Sequence, residues 1–128
     1  MRKVVAVFSI MLVILASGCI KHEQSVQAPR CDPVKLPAGS LGSRENPVRC
    51  DMPRGQVAYL QKLIGPDGQP VRFVRSGNLG RGVNGNIVDR YIVQASDGSL
   101  CVEVIMDMYF HGYVETKPIE GFKIGTGI

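Results

Sequence analysis

Four side chains at alternate positions near the end of the chain could support chemistry by their types and spacing. They are Asp107, Tyr109, His111 and Tyr113. Alternate residues of a β-strand share one face, and a carboxylate, an imidazole and two phenols there would suit general acid–base catalysis or ligand binding. We can place no serine or cysteine nucleophile with a nearby base beside them. We therefore predict a contact surface, no catalytic residues and a protein that is not an enzyme.

The glycine-rich segment 77–82 could be taken for a loop that cradles phosphate. It has neither the Gly-x-Gly-x-x-Gly spacing nor a Lys-Ser/Thr ending, and a strand pattern follows it where a phosphate-binding helix would be needed. The two histidines, His22 and His111, lie in different regions and lack the spacing of metal ligands. The sequence therefore predicts no cofactor and no metal ion.

The first residues have the layout of a cleavable secretory signal. Arg2 and Lys3 precede an apolar run over residues 4–15, and small residues at 16–18 lead into Cys19. A helix needs about 20 apolar residues to cross about 30 Å of hydrocarbon, so this run is too short for a comfortable membrane anchor. A signal segment is therefore favoured over a transmembrane helix.

The segment 15–19, Leu-Ala-Ser-Gly-Cys, resembles the lipobox of bacterial lipoproteins. The resemblance implies a signal peptide over 1–18, cleavage before Cys19, and attachment of a diacylglyceryl group to the Cys19 sulfur. Ile20 stands where aspartate commonly retains lipoproteins at the inner membrane, so the resemblance favours the outer membrane, facing the periplasm. An ordinary secretory signal cut near Gly18, or an uncleaved anchor, remains open.

Charge and length limit what the mature part can do. The chain carries 15 Lys and Arg against 11 Asp and Glu, and loss of residues 1–18 removes Arg2 and Lys3, which leaves a net charge of +2. No cluster of basic residues with interleaved aromatics is present, so nucleic-acid binding is not expected. The remaining length suits one small domain. We expect a flexible tether over 19–42, because prolines interrupt it without periodicity, and a folded domain over 43–128.

One helix is predicted over residues 52–64, with Asp51 as its N-cap and Gly65-Pro66 after its end. Its apolar stripe comprises Val57, Leu60, Leu63 and Ile64. A short strand is expected over 71–75 and a loop over 76–86, which is rich in glycine and asparagine. A further short strand could lie within 118–124.

The strongest structural signal is a hairpin of two β-rich runs, 87–95 and 100–109, around a type I′ turn at Asp97-Gly98. If Ser96 lies opposite Ser99, the register of the whole ladder is fixed. One face then forms the core side, and it comprises Ile87, Tyr91, Val93, Ala95, Leu100, Val102, Val104, Met106 and Met108. The other face is expected to be exposed, with Arg90 diagonally between Glu103 and Asp107. The predicted class is α+β, with one helix on an antiparallel sheet of three or four strands.

Three cysteines remain after Cys19 is assigned to lipid, and an oxidising compartment favours pairing among them. We expect a Cys50–Cys101 disulfide, since both residues lie within the predicted domain. Cys31 is the alternative partner, because the hairpin register directs Cys101 away from the helix that Cys50 precedes. The third cysteine would form an intermolecular bond or be buried and inert.

These residues and patterns leave two functions open. The first is a lipid-anchored, non-enzymatic envelope protein that binds another envelope component as an accessory or inhibitor-like module. Its contact surface would comprise Arg90, Asp107, Tyr109, His111 and Tyr113. The second is a small binder of a ligand or of cell-wall glycan, with the segment 77–86 as the rim of its site.

Overall fold

A mixed five-stranded sheet and one short helix make up most of the regular structure in the computed structural model, which describes residues 28–126. The elements are β1 (Val34–Lys35), β2 (Val48–Arg49), α1 (Met52–Lys62), β3 (Leu63–Ile64), β4 (Arg72–Arg81), β5 (Ile87–Gln94), β6 (Cys101–Asp107) and β7 (Lys123–Ile124). The main sheet has the order β1-β6-β5-β4, with β2 also on β6, while β3 and β7 form a second, two-stranded sheet. The protein is thus α+β, as expected, although mostly β.

The β5–β6 hairpin has the predicted register, since Gln94 lies opposite Cys101 and Asp89 opposite Met106. The turn differs from the expected type I′, which requires a positive φ at both central residues. Only Gly98 has one, at 78°. Instead, the Asp97 carboxylate accepts hydrogen bonds from the Ser99 hydroxyl at 2.6 Å and the Ser99 backbone N–H at 2.9 Å. These bonds lower the pKa of Asp97 and close a four-residue loop.

The far edge of β6 is covered partly by residues that we expected in the tether. β1 and β2 both run parallel to β6, and between them the Ile105 backbone N–H donates to the Gly42 carbonyl at 2.7 Å. Residues 31–42 therefore belong to the fold, which begins earlier than residue 43. The sheet is mixed, not antiparallel, because these two short strands add to it in parallel. The predicted signal peptide and residues 19–27 of the predicted tether lie outside the described residues.

The helix α1 begins where predicted and ends two residues early, because Leu63 and Ile64 pair with Ile124 and Lys123 of β7. The predicted C-terminal strand is therefore reduced to two residues and does not join the main sheet. Asp51 occupies the N-cap position, but its side chain makes no capping hydrogen bond. The buried face of the helix comprises Gln56, Tyr59 and Leu60.

A buried polar network attaches α1 to the sheet. The Gln56 side chain donates to the Asp89 carboxylate and accepts from the Tyr91 hydroxyl, both at 3.0 Å. Arg75 of β4 donates to the other Asp89 oxygen at 2.7 Å. The Gln56 side chain thus supplies hydrogen-bond partners to two strand residues within the core, where buried polar groups normally have such partners.

The predicted loop over 76–86 is mostly strand, because β4 continues to Arg81 with irregular pairing near Ser76 and beyond Asn78. Gly77 and Gly80 have φ of 144° and 79°, which only glycine adopts easily, so the strand bends there and continues. The expected loop is therefore limited to residues 82–86, between β4 and β5.

The core lies between the sheet and α1 and contains most of the predicted inward face. Its main sheet residues are Tyr91, Val93, Val102, Val104 and Met106. Ile87 is an exception, because it begins β5 and is 43% exposed. The opposite face of β6, expected to be exposed, is buried at Glu103, Ile105 and Asp107, since residues 35–45 lie against part of it.

Candidate functional site

The disulfide of the described chain joins Cys31 to Cys101, so the preferred Cys50–Cys101 pairing is wrong and the alternative is correct. The reason lies in the register of the hairpin. Cys101 lies on the face of β6 that points away from α1. Cys50 is buried beneath the helix, so close to it that a Cβ atom added at Gly55 would lie 3.2 Å from the Cys50 Cβ. The bond ties the start of the described chain to the first residue of the central strand.

Cys50 is the free cysteine of the described residues and is buried. Loss of solvent raises the pKa of its thiol to about 12, and the negative charges of Asp107, Glu115 and Asp89 add to the effect. The thiolate is the reactive form of cysteine. Cys50 is therefore an inert core residue at neutral pH and supplies no nucleophile.

Of the predicted contact residues, Asp107 is buried, and Arg90 is partly exposed but paired within the sheet. The Asp107 side chain is fully buried and accepts hydrogen bonds from Asn86 Nδ2 at 3.1 Å and from the Tyr109 backbone N–H at 3.0 Å. Arg90 forms the expected ion pair with Glu103 at 3.2 Å. It does not pair with Asp107; its second partner is the Ser76 hydroxyl, at 2.8 Å. Both side chains therefore bond to neighbouring residues of the domain.

The other three predicted residues, Tyr109, His111 and Tyr113, are exposed and lie close to the start of α1. Their segment is not the extended strand that alternate spacing suggested. Beyond one isolated bridge between Asp51 and Tyr109, residues 108–118 form turns and irregular chain. His111 Nδ1 lies 3.4 Å from Asp51 Oδ1. The alternate spacing of these three residues therefore does not explain why they lie at the same end of the molecule.

Backbone hydrogen bonds hold this irregular segment in place. The Met52 N–H donates to the Met108 carbonyl at 2.8 Å, and the Phe110 N–H donates to the Cys50 carbonyl at 3.2 Å. Farther along, the Tyr59 hydroxyl of α1 donates to the Lys117 carbonyl at 2.9 Å. The segment is thus fixed at both ends to the helix and to the residues just before it.

We call the exposed apolar surface at this end of the sheet the aromatic end. It comprises Arg49, Met52, Tyr109, Phe110, Tyr113 and Val114. The Arg49 guanidinium lies 5.1 Å from the centre of the Phe110 ring, within cation–π range, and the Phe110 and Tyr113 rings meet edge to face at 6.4 Å. A groove of about 270 Å³ runs beside Tyr113 and Arg49. The rings are therefore supported by neighbours although they face solvent.

Met52 carries backbone strain within the aromatic end. Its φ is 59°, and it is the one described residue other than glycine with a positive φ. The left-handed region costs a residue with a side chain about 1–2 kcal/mol. The Met52 side chain is nonetheless 46% exposed and so gains little from burial. Strain retained at an exposed residue is typical of sites whose local shape has a function.

The sequence indicated two of the six residues of the aromatic end. Tyr109 and Tyr113 were found by their type, whereas the other four members were missed: Arg49, Met52, Phe110 and Val114. Phe110 was missed because strand alternation assigned it to the opposite face from its neighbours. The signal that could have found it is the density of aromatic residues between 109 and 113, considered without any assumption of strand.

Within the described part of the chain, His, Cys, Asp and Glu side chains form no group of three that could hold a metal ion. Among residues 28–126, no helix has the length and apolar character needed to cross a bilayer. Comparisons with known proteins find no family model, no curated protein and no solved structure that matches this chain.

Proposed function

We propose that this protein is a bacterial lipoprotein, anchored through lipid on Cys19 to the outer membrane and facing the periplasm. In this proposal it is not an enzyme, and its domain binds another envelope protein through the aromatic end as an accessory or inhibitor-like module. The lipobox-like segment 15–19 supports the anchor. The aromatic end supports the binding role.

The observation that carries the binding role is a set of ordered yet exposed aromatic side chains. Tyr109 and Tyr113 are 49% and 41% exposed, and Val114 is 64% exposed. Tyrosine, tryptophan and arginine dominate the energetics of protein interfaces. Tyrosine buries a large area with only two side-chain torsions, so it loses little conformational entropy on binding. Since the backbone of this segment is already fixed, binding would lose little conformational entropy.

The position of the disulfide supports the same role. Cys31 is bonded to the first residue of β6, and Tyr109 follows two residues after the last residue of β6. Seven strand residues span about 20 Å at roughly 3.3 Å per residue. The tether in this proposal thus joins the sheet at one end, and the aromatic end lies at the other, where it can face away from the anchoring membrane.

The chemistry of the buried groups supports a binding role over catalysis. The raised pKa of Cys50 keeps its thiol protonated at neutral pH, and the Asp107 carboxylate is occupied by Asn86 and by the backbone of Tyr109. His111 is exposed beside Asp51 and has no nucleophile in contact. Of the groups first considered for acid–base chemistry, Asp107 is buried away from the exposed His111 and the two tyrosines.

Site-specific photocrosslinking in the native host tests the proposal. A crosslinking amino acid placed at Tyr109 or at Tyr113 should capture one dominant envelope protein. The matched control is the same amino acid at Ser96, an exposed residue in the hairpin loop at the opposite end of β6. Equal capture from Ser96, or no capture from either tyrosine, would contradict a binding role for the aromatic end.

The anchor is tested separately. A Cys19→Ala variant should leave the membrane fraction, lose incorporation of labelled palmitate and capture the partner less efficiently. A Cys50→Ala variant is the control for loss of a cysteine that is not lipidated, and it should remain membrane-bound. Membrane association that persists in Cys19→Ala would overturn the anchor while leaving the crosslinking result to be judged by itself.

A further inference from the structure

A small crevice, mostly apolar, lies between α1 and the irregular segment that follows β6. Its volume is about 90 Å³. The helix contributes Gly55 and Ala58, which lack bulky side chains and so leave room, and the irregular segment contributes Tyr113 and Val114. A cavity of about 150 Å³ accommodates benzene. This crevice is therefore too small for an aromatic ring and suits an aliphatic side chain of about three or four carbon atoms.

The side-chain oxygen atoms that line the crevice already have hydrogen-bond partners. The Tyr59 hydroxyl donates to the Lys117 carbonyl at 2.9 Å. One Glu115 oxygen accepts from the Tyr113 hydroxyl at 3.3 Å, and the other accepts from the two backbone N–H groups that follow it, both at 3.1 Å. A polar occupant would exchange its bonds to water for a site whose oxygens are engaged, whereas an aliphatic occupant needs no hydrogen bond. The crevice therefore favours an apolar side chain.

The groove of about 270 Å³ borders the same tyrosine. Tyr113 and Glu115 line both the crevice and the groove and so lie between them. The charged residues that line the two hollows are three cations and one carboxylate, namely Arg49, Lys62, Lys117 and Glu115. None of the three cations forms a salt bridge with another described residue, and the Phe110 ring supports the Arg49 guanidinium. The surface around Tyr113 is therefore complementary to an acidic group.

We propose that the partner bound at the aromatic end presents an aliphatic side chain, of valine or leucine size, next to an aspartate or glutamate. The aliphatic side chain enters the crevice beside Ala58, and the carboxylate faces Arg49 and Lys117 in the groove. Tyr113 packs between these two contacts. Binding energy at protein interfaces concentrates where a few side chains fill hollows beside tyrosine and arginine residues. This proposal rests on the binding role proposed for the aromatic end and adds the chemistry of the partner segment.

Photocrosslinking in the native host tests the aliphatic contact, with the crosslinking amino acid at Tyr109, which lines neither hollow. Ala58→Leu fills the crevice and should reduce capture of the partner by about tenfold or more. Gln61→Leu is the matched control, because it adds the same side chain to an exposed position of α1 outside the crevice, and it should leave capture unchanged. Since Ala58 is exposed, the thermal unfolding midpoint of Ala58→Leu should stay within about 4 °C of the unchanged chain.

The acidic contact is tested in the same assay by removing positive charge. Arg49→Gln and Lys117→Gln should each reduce capture by about threefold or more, since each removes a cation that faces the partner carboxylate. Arg30→Gln is the matched control, because Arg30 is exposed beside Cys31 at the other end of the sheet. Mass spectrometry of the crosslinked peptide should then find a valine, isoleucine or leucine close to an aspartate or glutamate in the captured partner. Changing that aliphatic residue of the partner to alanine should reduce capture as much as Ala58→Leu does.

The outcomes separate this proposal from the binding role on which it rests. Absence of capture from Tyr109 in the otherwise unchanged chain would overturn the binding role and this proposal together. Capture that persists in Ala58→Leu, or in both Arg49→Gln and Lys117→Gln, would overturn this proposal and leave the binding role intact. A crosslinked partner segment without an aliphatic residue near an acidic one would do the same.

Discussion

The free-energy cost of the strained backbone can be measured at Met52. Met52→Gly and Met52→Ala both remove the exposed side chain, but only glycine adopts a φ of 59° without strain. We expect the glycine variant to be the more stable of the two by about 1 kcal/mol, since the strain of about 1–2 kcal/mol is partly offset by the greater freedom of unfolded glycine. Chemical denaturation measures the difference, and an alanine variant as stable as the glycine variant would contradict it.

Cys50 gives a prediction about pH. Its thiol has a pKa of about 12 in the folded protein, raised by burial from an ordinary value of 9.0. Because the pKa is higher in the folded protein, burial of the protonated thiol contributes its full stabilisation below pH 9. This contribution is lost as the pH rises toward 12, because the unfolded chain then gains stability by losing the proton. The free energy of unfolding should therefore decline over that range, and less so in Cys50→Ala.

Thiol labelling gives an independent measurement of the same residue. In a Cys19→Ala background, folded Cys50 should resist iodoacetamide at pH 8, where about one ten-thousandth of the thiol is deprotonated. A cysteine introduced at the exposed Ser96 should react readily under the same conditions. Rapid labelling of Cys50 without denaturant would show that the thiol is accessible.

At the scale of elements, Gln56 joins α1 to the sheet through two side-chain hydrogen bonds. Gln56→Ala leaves the buried Tyr91 hydroxyl and one Asp89 oxygen without their partner, and we expect a loss of about 2–4 kcal/mol in the free energy of unfolding. Gln61→Ala, on the exposed side of the same helix, is the matched control and should change stability little. Equal effects of the two variants would show that the network does not hold the helix.

The disulfide joins the start of the described chain to β6 and closes a loop with a sequence separation of 70. In the chain-entropy description, closing a loop of that size restricts the unfolded chain enough to stabilise the protein by about 4 kcal/mol. Cys31→Ala should lose about that amount, and its unfolding should no longer respond to reductant. Cys50→Ala, which keeps the disulfide, should still be sensitive to reductant. A loss under about 1 kcal/mol would contradict the value expected from loop closure.

Pairing between strands that are close in the sequence was predicted better than pairing between strands that are far apart in it. The β5–β6 register was predicted from the short connection, because Asp97-Gly98 and the alternating residues beside it fix one pairing. β1 and β2 were missed, since two-residue strands have no periodicity and their partner β6 is distant in sequence. The same cause misplaced the disulfide, because the inclusion of Cys31 in the fold depends on β1.

At the scale of the whole molecule, the exposed residues of the aromatic end should be separable from stability. A Tyr109→Ala, Tyr113→Ala double variant should change the free energy of unfolding by less than about 1 kcal/mol, because both side chains are largely exposed. It should nonetheless lose most partner capture in the host. Val83→Ala, at another exposed apolar residue, is the control and should keep it. Unchanged capture in the double variant would remove the aromatic end from the interface.

The Cys31–Cys101 bond also determines how the domain would carry mechanical load. A pull between the amino-terminal side of Cys31 and the segment after β6 passes through the two sulfur atoms directly into Cys101. The chain between these cysteines, which contains α1, β4 and β5, forms a closed covalent loop and bears none of that tension along its backbone. Force applied between an anchor and a partner held by Tyr109 or Tyr113 would therefore travel along the backbone of β6.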